Sequence, residues 1–240
     1  MNLLYHNDAA VEFDEASHTY RIDGQLVPSV TTILGRLKPE FDAESAAERV
    51  AEREGRTVID VLSDWKYRSL MALANGKEVH RQIEAVITTG SAPLLAPDPD
   101  GSWSRCLARI QAGAVPLAIE QIVADKELAV AGTVDAILYS RKTGSVHVCD
   151  WKPGKFKAEG YRGETLQPPF DDLAMNHLTA YSLQVSLYRL ILERHGQPCG
   201  PSWIVHFGEG GATIHKAIDF RSRLEAWLKT QTTREPAYAL

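Results

Sequence analysis

Residues 132–152 constrain this chain more than any other stretch. They read Gly132-Thr133-Val134-Asp135-Ala136-Ile137-Leu138-Tyr139-Ser140, then Arg141-Lys142-Thr143-Gly144, then Ser145-Val146-His147-Val148-Cys149-Asp150-Trp151-Lys152. Two alternating runs rich in β-branched residues flank a polar turn that ends in glycine, the pattern of a β-hairpin. If Ser140 pairs with Ser145, antiparallel register sets Asp135 opposite Asp150. Directly opposed residues hold their Cβ atoms about 5 Å apart on one face. Alternation puts Lys152 on the same face and turns Trp151 to the other. Two carboxylates and an ammonium are therefore expected on one patch of an otherwise apolar sheet. A slip of one residue would undo the pattern, because it turns every side chain over.

The rest of the chain supplies layers for such a sheet. A short hairpin is expected over 18–27 around Asp23-Gly24, then a helix from Val30 capped by Ser29 and stopped by Gly35 or Pro39. Residues 43–54, ending at Gly55, read as a helix. A second helix is expected over 56–74, with Val58, Val61, Leu62, Trp65, Leu70 and Leu73 near helical spacing. Asn75-Gly76 reads as a break or a close-packing point before a further helix over 77–88. Proline marks 91–101 as a loop; a helix over 103–114 and strands near 119–123 and 127–140 follow. After the central hairpin comes a long irregular stretch, 153–170. Asp171 or Asp172 could cap a helix running to Arg194, and strands over 202–207 and 212–218 precede a helix over 220–230. The order predicts an α+β or α/β fold, with a mixed central sheet flanked by helices. The 240 residues suit a single domain, with 1–75 as an N-terminal hairpin and helical elaboration and 76–220 as the core.

Composition removes several function classes. Cys106, Cys149 and Cys199 are too scattered for a disulfide framework or a four-thiolate zinc or iron–sulfur site. No run approaches the ~18 apolar residues of a membrane span. The N-terminus shows no basic, then apolar, leader, so a cytoplasmic protein is expected. A net charge of −5 carries no general nucleic-acid signature, yet a carboxylate-rich metal site lowers net charge while local basic patches bind phosphate.

Paired aspartates on a sheet suit a hard divalent cation such as Mg²⁺ or Mn²⁺. A lysine two residues on could hold a water or neutralise charge on a phosphate. The plainer reading is a hairpin with two exposed aspartates and a salt-bridging lysine. His80 and Glu84, at i and i+4, project from one helix face, as do Tyr181, Gln184 and Tyr188 at i, i+3 and i+7. Either set could equally be surface or packing. Lys155, Lys157 and Arg162 make the loop after the hairpin basic.

Taken in order, Gly76-x-x-x-His80-x-x-x-Glu84, Glu120, Gly132-Thr133-Val134-Asp135, Asp150-Trp151-Lys152 and Gln184-x-x-x-Tyr188 resemble the PD-(D/E)XK nuclease superfamily. The likeness is to its RecB-like branch, with the CRISPR-associated, phage and mitochondrial genome maintenance exonucleases. His18-x-Tyr20 and Val27-Pro28-Ser29-Val30 resemble the opening of phage-type members. The resemblance spans roughly residues 18–207 and implies a restriction-endonuclease-like core. It implies that Asp135, Asp150, His80, Glu120 and the Trp151 carbonyl bind Mg²⁺ or Mn²⁺, and that Lys152 is the catalytic lysine. Glu84 joins the catalytic set as support for the first motif. Gln184 and Tyr188, with Tyr181, Lys155, Lys157 and Arg162, would contact nucleic acid. The aspartate lacks the proline of the superfamily's name, and the four cysteines of iron–sulfur relatives are absent, so no cluster is expected. No Walker-type loop is present, which excludes a helicase activity in this chain. The implied function is a metal-dependent DNA exonuclease of phage or bacterial recombination, repair or replication. Its partners would be linear DNA with a free end and recombination or replication proteins, with no membrane. An endonuclease, or a silent nucleic-acid-binding protein on the same fold, is the alternative.

Overall fold

The computed structural model describes residues 10–90, 98, 100–157, 159 and 163–232. The chain begins with a small antiparallel sheet of β1 (Val11–Asp14), β2 (Thr19–Ile22) and β3 (Gln25–Val27). Asp23 (φ 51°) and Gly24 (φ 77°) turn β2 into β3, both left-handed as a two-residue hairpin requires. β1, only four residues long, carries no signal of its own in the sequence. Asp23 ties this sheet down by pairing with Lys126 at 2.6 Å. Ser29 caps α1 (Val30–Gly35), its hydroxyl accepting from the Thr32 N–H. Asp42 likewise caps α2 (Ala43–Glu54), which stops at left-handed Gly55.

α3 runs unbroken from Val58 to Thr89, so of the two readings of Asn75-Gly76 the break does not occur, and Gly76 lies against Pro153, whose Cγ would stand 4.0 Å from a Cβ there. Two different packings hold its ends. Val58, Val61, Leu62 and Trp65 pack on α2, whereas Val79, Ile83, Val86 and Ile87 pack on the main sheet. Between them, residues 66–75 are exposed on every side. Leu70 and Leu73, which helical spacing assigns to a buried face, are 56% and 59% exposed. A glycine inside a helix costs about 1 kcal/mol relative to alanine, too little to stop a helix anchored at both ends.

α4 (Ser102–Gly113) leads into the main sheet of β4 (Ala114–Asp125), β5 (Val130–Ser140), β6 (Val146–Pro153), β7 (Trp203–Gly208) and β8 (Gly211–Lys216), ordered as in the sequence. Every pairing is antiparallel except β6 with β7, which α5 (His177–Arg194) connects. α1, α5 and α6 (Arg221–Thr232) cover one face; α3 and α4 cover the other. This is an α+β fold with a mixed central sheet flanked by helices. Asn176 caps α5, not Asp171 or Asp172. Asp172 instead pairs with Arg223 at 2.6 Å, and a bridge between Thr165 and Ala174 holds the preceding chain extended. Among the described residues no helix is long and apolar enough to cross a membrane.

Candidate active site

β5 and β6 pair from Tyr139↔Val146 to Ala136↔Cys149, the register expected from the sequence. One step further the same offset sets Asp135 against Asp150, and the ladder ends. The Trp151 N–H donates to Asp135 Oδ2 at 2.7 Å, so a side-chain carboxylate occupies the gap between strands. β4 adds Glu120. The pairs Ile119↔Ala136 and Gln121↔Val134 frame it opposite Asp135. Glu120 is left-handed (φ 47°), a conformation uncommon outside glycine and concentrated at functional sites.

α3 crosses the sheet here and brings in His80. Its Nδ1 lies 3.7 Å from Asp135 Oδ2 and 3.9 Å from Glu120 Oε1. One ligand atom from each of the three residues lies within 4.8 Å of the others, a grouping that could hold a metal ion. Asp150 is not part of that group. Its Oδ2 is 2.8 Å from Lys152 Nζ, and its Oδ1 is buried with no hydrogen-bond partner among the described residues. Lys152 in turn sits 4.8 Å over the Tyr181 ring.

Burial sets the electrostatics. Asp135 is 8% exposed and Asp150 1%. Burial, then the Asp150 charge, push the Asp135 carboxyl up to about 7. Burial opposes protonation of His80, but Glu120 and Asp135 outweigh it and raise the imidazole above its ordinary value. Lys152 is likewise raised: burial disfavours its charge, and the Asp150 and Asp135 carboxylates more than compensate. A buried carboxylate with an oxygen unpaired, here Asp150, attracts a cation. One imidazole nitrogen and carboxylate oxygens suit Mn²⁺, and Mg²⁺ less well. The residues therefore fit a divalent ion.

The other expected site residues divide. Glu84 lies one turn along α3 from His80, half-buried and outside the metal-ligand group. The Trp151 ring is core, 6.4 Å from Phe207 between centroids. Gln184 Nε2 donates to Tyr188 Oη at 3.4 Å. Tyr188 is only 3% exposed and fills space left by Gly132, where a Cβ would lie 2.9 Å from Tyr188 Cε1. Tyr188 thus packs in the core beneath β5. Lys155 and Lys157 are exposed on the loop after β6. Arg162 lies outside the described residues. Phe156, His177 and His206, close to Tyr181 and Lys152, carry no motif signal. The pairing of β6 with β7 sets His206 beside Lys152, the loop after β6 carries Phe156, and His177 precedes Tyr181 by one turn of α5. No family model matches this chain, and no curated protein matches it.

Proposed function

We propose that this chain is a divalent-metal-dependent deoxyribonuclease of the PD-(D/E)XK type, acting as an exonuclease in phage or bacterial DNA recombination, repair or replication in the cytoplasm. The observation that carries the reading is the juxtaposition of His80, Glu120 and Asp135 with the buried Asp150–Lys152 pair. In this reading His80, Glu120 and Asp135 would hold Mn²⁺ or Mg²⁺, and the unpaired Oδ1 of Asp150 would add to the negative field around it. A bound ion would supply an activated water and polarise a phosphate oxygen. Asp150 holds the Lys152 ammonium in place and charged. That ammonium orients the attacking water or neutralises charge developing on the phosphate. Lys155 and Lys157 guide the DNA backbone, a salt-sensitive contribution.

The test is incubation of the purified protein with end-labelled linear DNA and with closed circular DNA, in Mn²⁺, Mg²⁺ or EDTA. Linear DNA should be shortened from its ends only when metal is present, and circles should persist. Nicking of circles would make the enzyme an endonuclease, and no metal-dependent cleavage of either would overturn the reading.

A further inference from the structure

Beyond the metal-ligand group, a cluster of rings lies against Lys152. Parallel pairing sets His206 beside Lys152, and the next pairing sets Thr213 beside His206. Alternation along β8 brings His215 to the same face. The first turns of α5 supply His177 and Tyr181, and the loop after β6 supplies Phe156. Phe156 stacks on His215 with centroids 4.5 Å apart and planes 9° apart. It also lies 5.1 Å from His206, 5.9 Å from Tyr181 and 6.0 Å from His177. His177 and Tyr181 are 5.4 Å apart. The rings lead continuously from Lys152, under Tyr181, to the edge strand β8.

Polar contacts fix the rings in place. His206 Nε2 lies 2.6 Å from the Gly154 carbonyl, and Thr213 Oγ1 lies 2.9 Å from His215 Nε2. The Lys157 N–H donates to His177 Nδ1 at 3.1 Å, and the His177 N–H donates to the Lys157 carbonyl at 3.0 Å. At Gly208 a Cβ would come within 2.5 Å of His206 Cε1, so that imidazole lies over bare backbone. Burial lowers both His177 and His215 from their ordinary values, which disfavours charge on these rings. Among the described residues the histidines of this cluster form no group suited to a metal ion.

We propose that Phe156, His177, Tyr181, His206 and His215 form a stacking shelf for the unpaired bases of single-stranded DNA, placed next to the phosphate that Lys152 addresses. This rests on the nuclease reading and adds the strand state of its substrate. Every base has a π face, so stacking tolerates any sequence, and losing one ring typically weakens binding about 5- to 150-fold. A base within a duplex is stacked on both sides and must first be extruded to use such a shelf. Lys155 and Lys157, exposed on the loop that carries Phe156, lie where a phosphate backbone would pass. All five residues are half-buried rather than enclosed in the core.

The experiment measures fluorescence anisotropy of a labelled oligothymidylate and of a blunt duplex of equal length, in EDTA, with the whole wild-type chain and with Phe156→Leu. Leucine keeps apolar volume and loses the aromatic face. The wild type should bind the single strand at least about ten-fold more tightly than the duplex. Phe156→Leu should lose about ten-fold on the single strand and little on the duplex. Mn²⁺ uptake, read by its paramagnetic resonance, should be equal in the two proteins. If the wild type neither takes up Mn²⁺ nor cuts DNA, the nuclease reading fails. If it does both, yet Phe156→Leu binds the single strand as the wild type does, the shelf is overturned. Equal wild-type affinity for single strand and duplex overturns it too. Should Phe156→Leu not fold, His215→Gln at the edge strand carries the same expectation and the same refutation.

Discussion

The Trp151 N–H donates to Asp135 Oδ2, 2.7 Å away, at the point where β5 and β6 stop pairing. One carboxylate thus finishes a sheet ladder and faces the candidate metal position. The two tasks separate by substitution, because an amide can still accept from the Trp151 N–H but is a poor ligand for a hard cation.

Asp135→Asn should remove DNA cleavage by at least about a hundred-fold while the protein stays folded. Its effect on stability should depend on pH. The folded, metal-free carboxyl titrates at about 7, above its ordinary value of 3.8. Between those values the folded state binds more protons than the unfolded state, so this group's contribution to stability falls as pH rises from about 4 to about 7. Asparagine has no such dependence. Without metal, the variant should therefore gain in melting temperature over the wild type as pH increases from 5 to 8. A difference that stays flat with pH would show that Asp135 ionises normally.

Lys152→Ala should lose most turnover, about a hundred-fold or more, and keep or strengthen Mn²⁺ binding, because it removes a cation from the site. It also strands a carboxylate that is 1% exposed, which typically destabilises by about 3–5 kcal/mol. Saturating Mn²⁺ should recover part of that loss in thermal melts. Collapse of metal affinity in the variant would mean that the lysine organises the ion rather than the phosphate.

His80→Ala should reduce Mn²⁺-supported cleavage more than Mg²⁺-supported cleavage, since imidazole favours Mn²⁺. Metal titrations of both proteins measure this. Equal losses with the two ions would place His80 in helix packing.

Gly132→Ala should destabilise the fold by about 1–3 kcal/mol through overpacking. The new Cβ would lie 2.9 Å from Tyr188 Cε1 and 3.2 Å from Val30 Cγ2. Tyr188→Leu in the same chain should recover part of the loss in denaturant midpoint. A neutral Gly132→Ala would show that α5 can shift.

The central hairpin was legible because its information is local: alternation, a polar turn and the Ser140–Ser145 closure define the register that sets Asp135 against Asp150. The cap at Ser29 acts over a few residues, and its helix begins where that residue indicates, as the next helix ends where Gly55 indicates. Competition between distant partners was not legible. Asp172 is a good helix cap in isolation, but Arg223, far along the chain, engages it. Tyr181 and Tyr188 do share a helical stripe, yet α5 runs from the site into the core, so position along the axis separates them. The ring cluster depends on a parallel register between β6 and β7, which a crossover helix sets and no local pattern encodes.

α3 is a strut. Lys66 and His80 lie on one continuous helix, roughly 21 Å apart along its axis. The span between its two anchorages, residues 66–75, is exposed throughout. A tilt imposed where α3 grips α2 is therefore delivered at the other end, at a histidine 3.7 Å from Asp135. Gly76, the weakest helix former of α3, lies one turn before that histidine, where a Cβ would stand 4.0 Å from the ring of Pro153. Stiffening or loosening this single turn should therefore move His80 against Asp135 and Glu120 without altering any of the three.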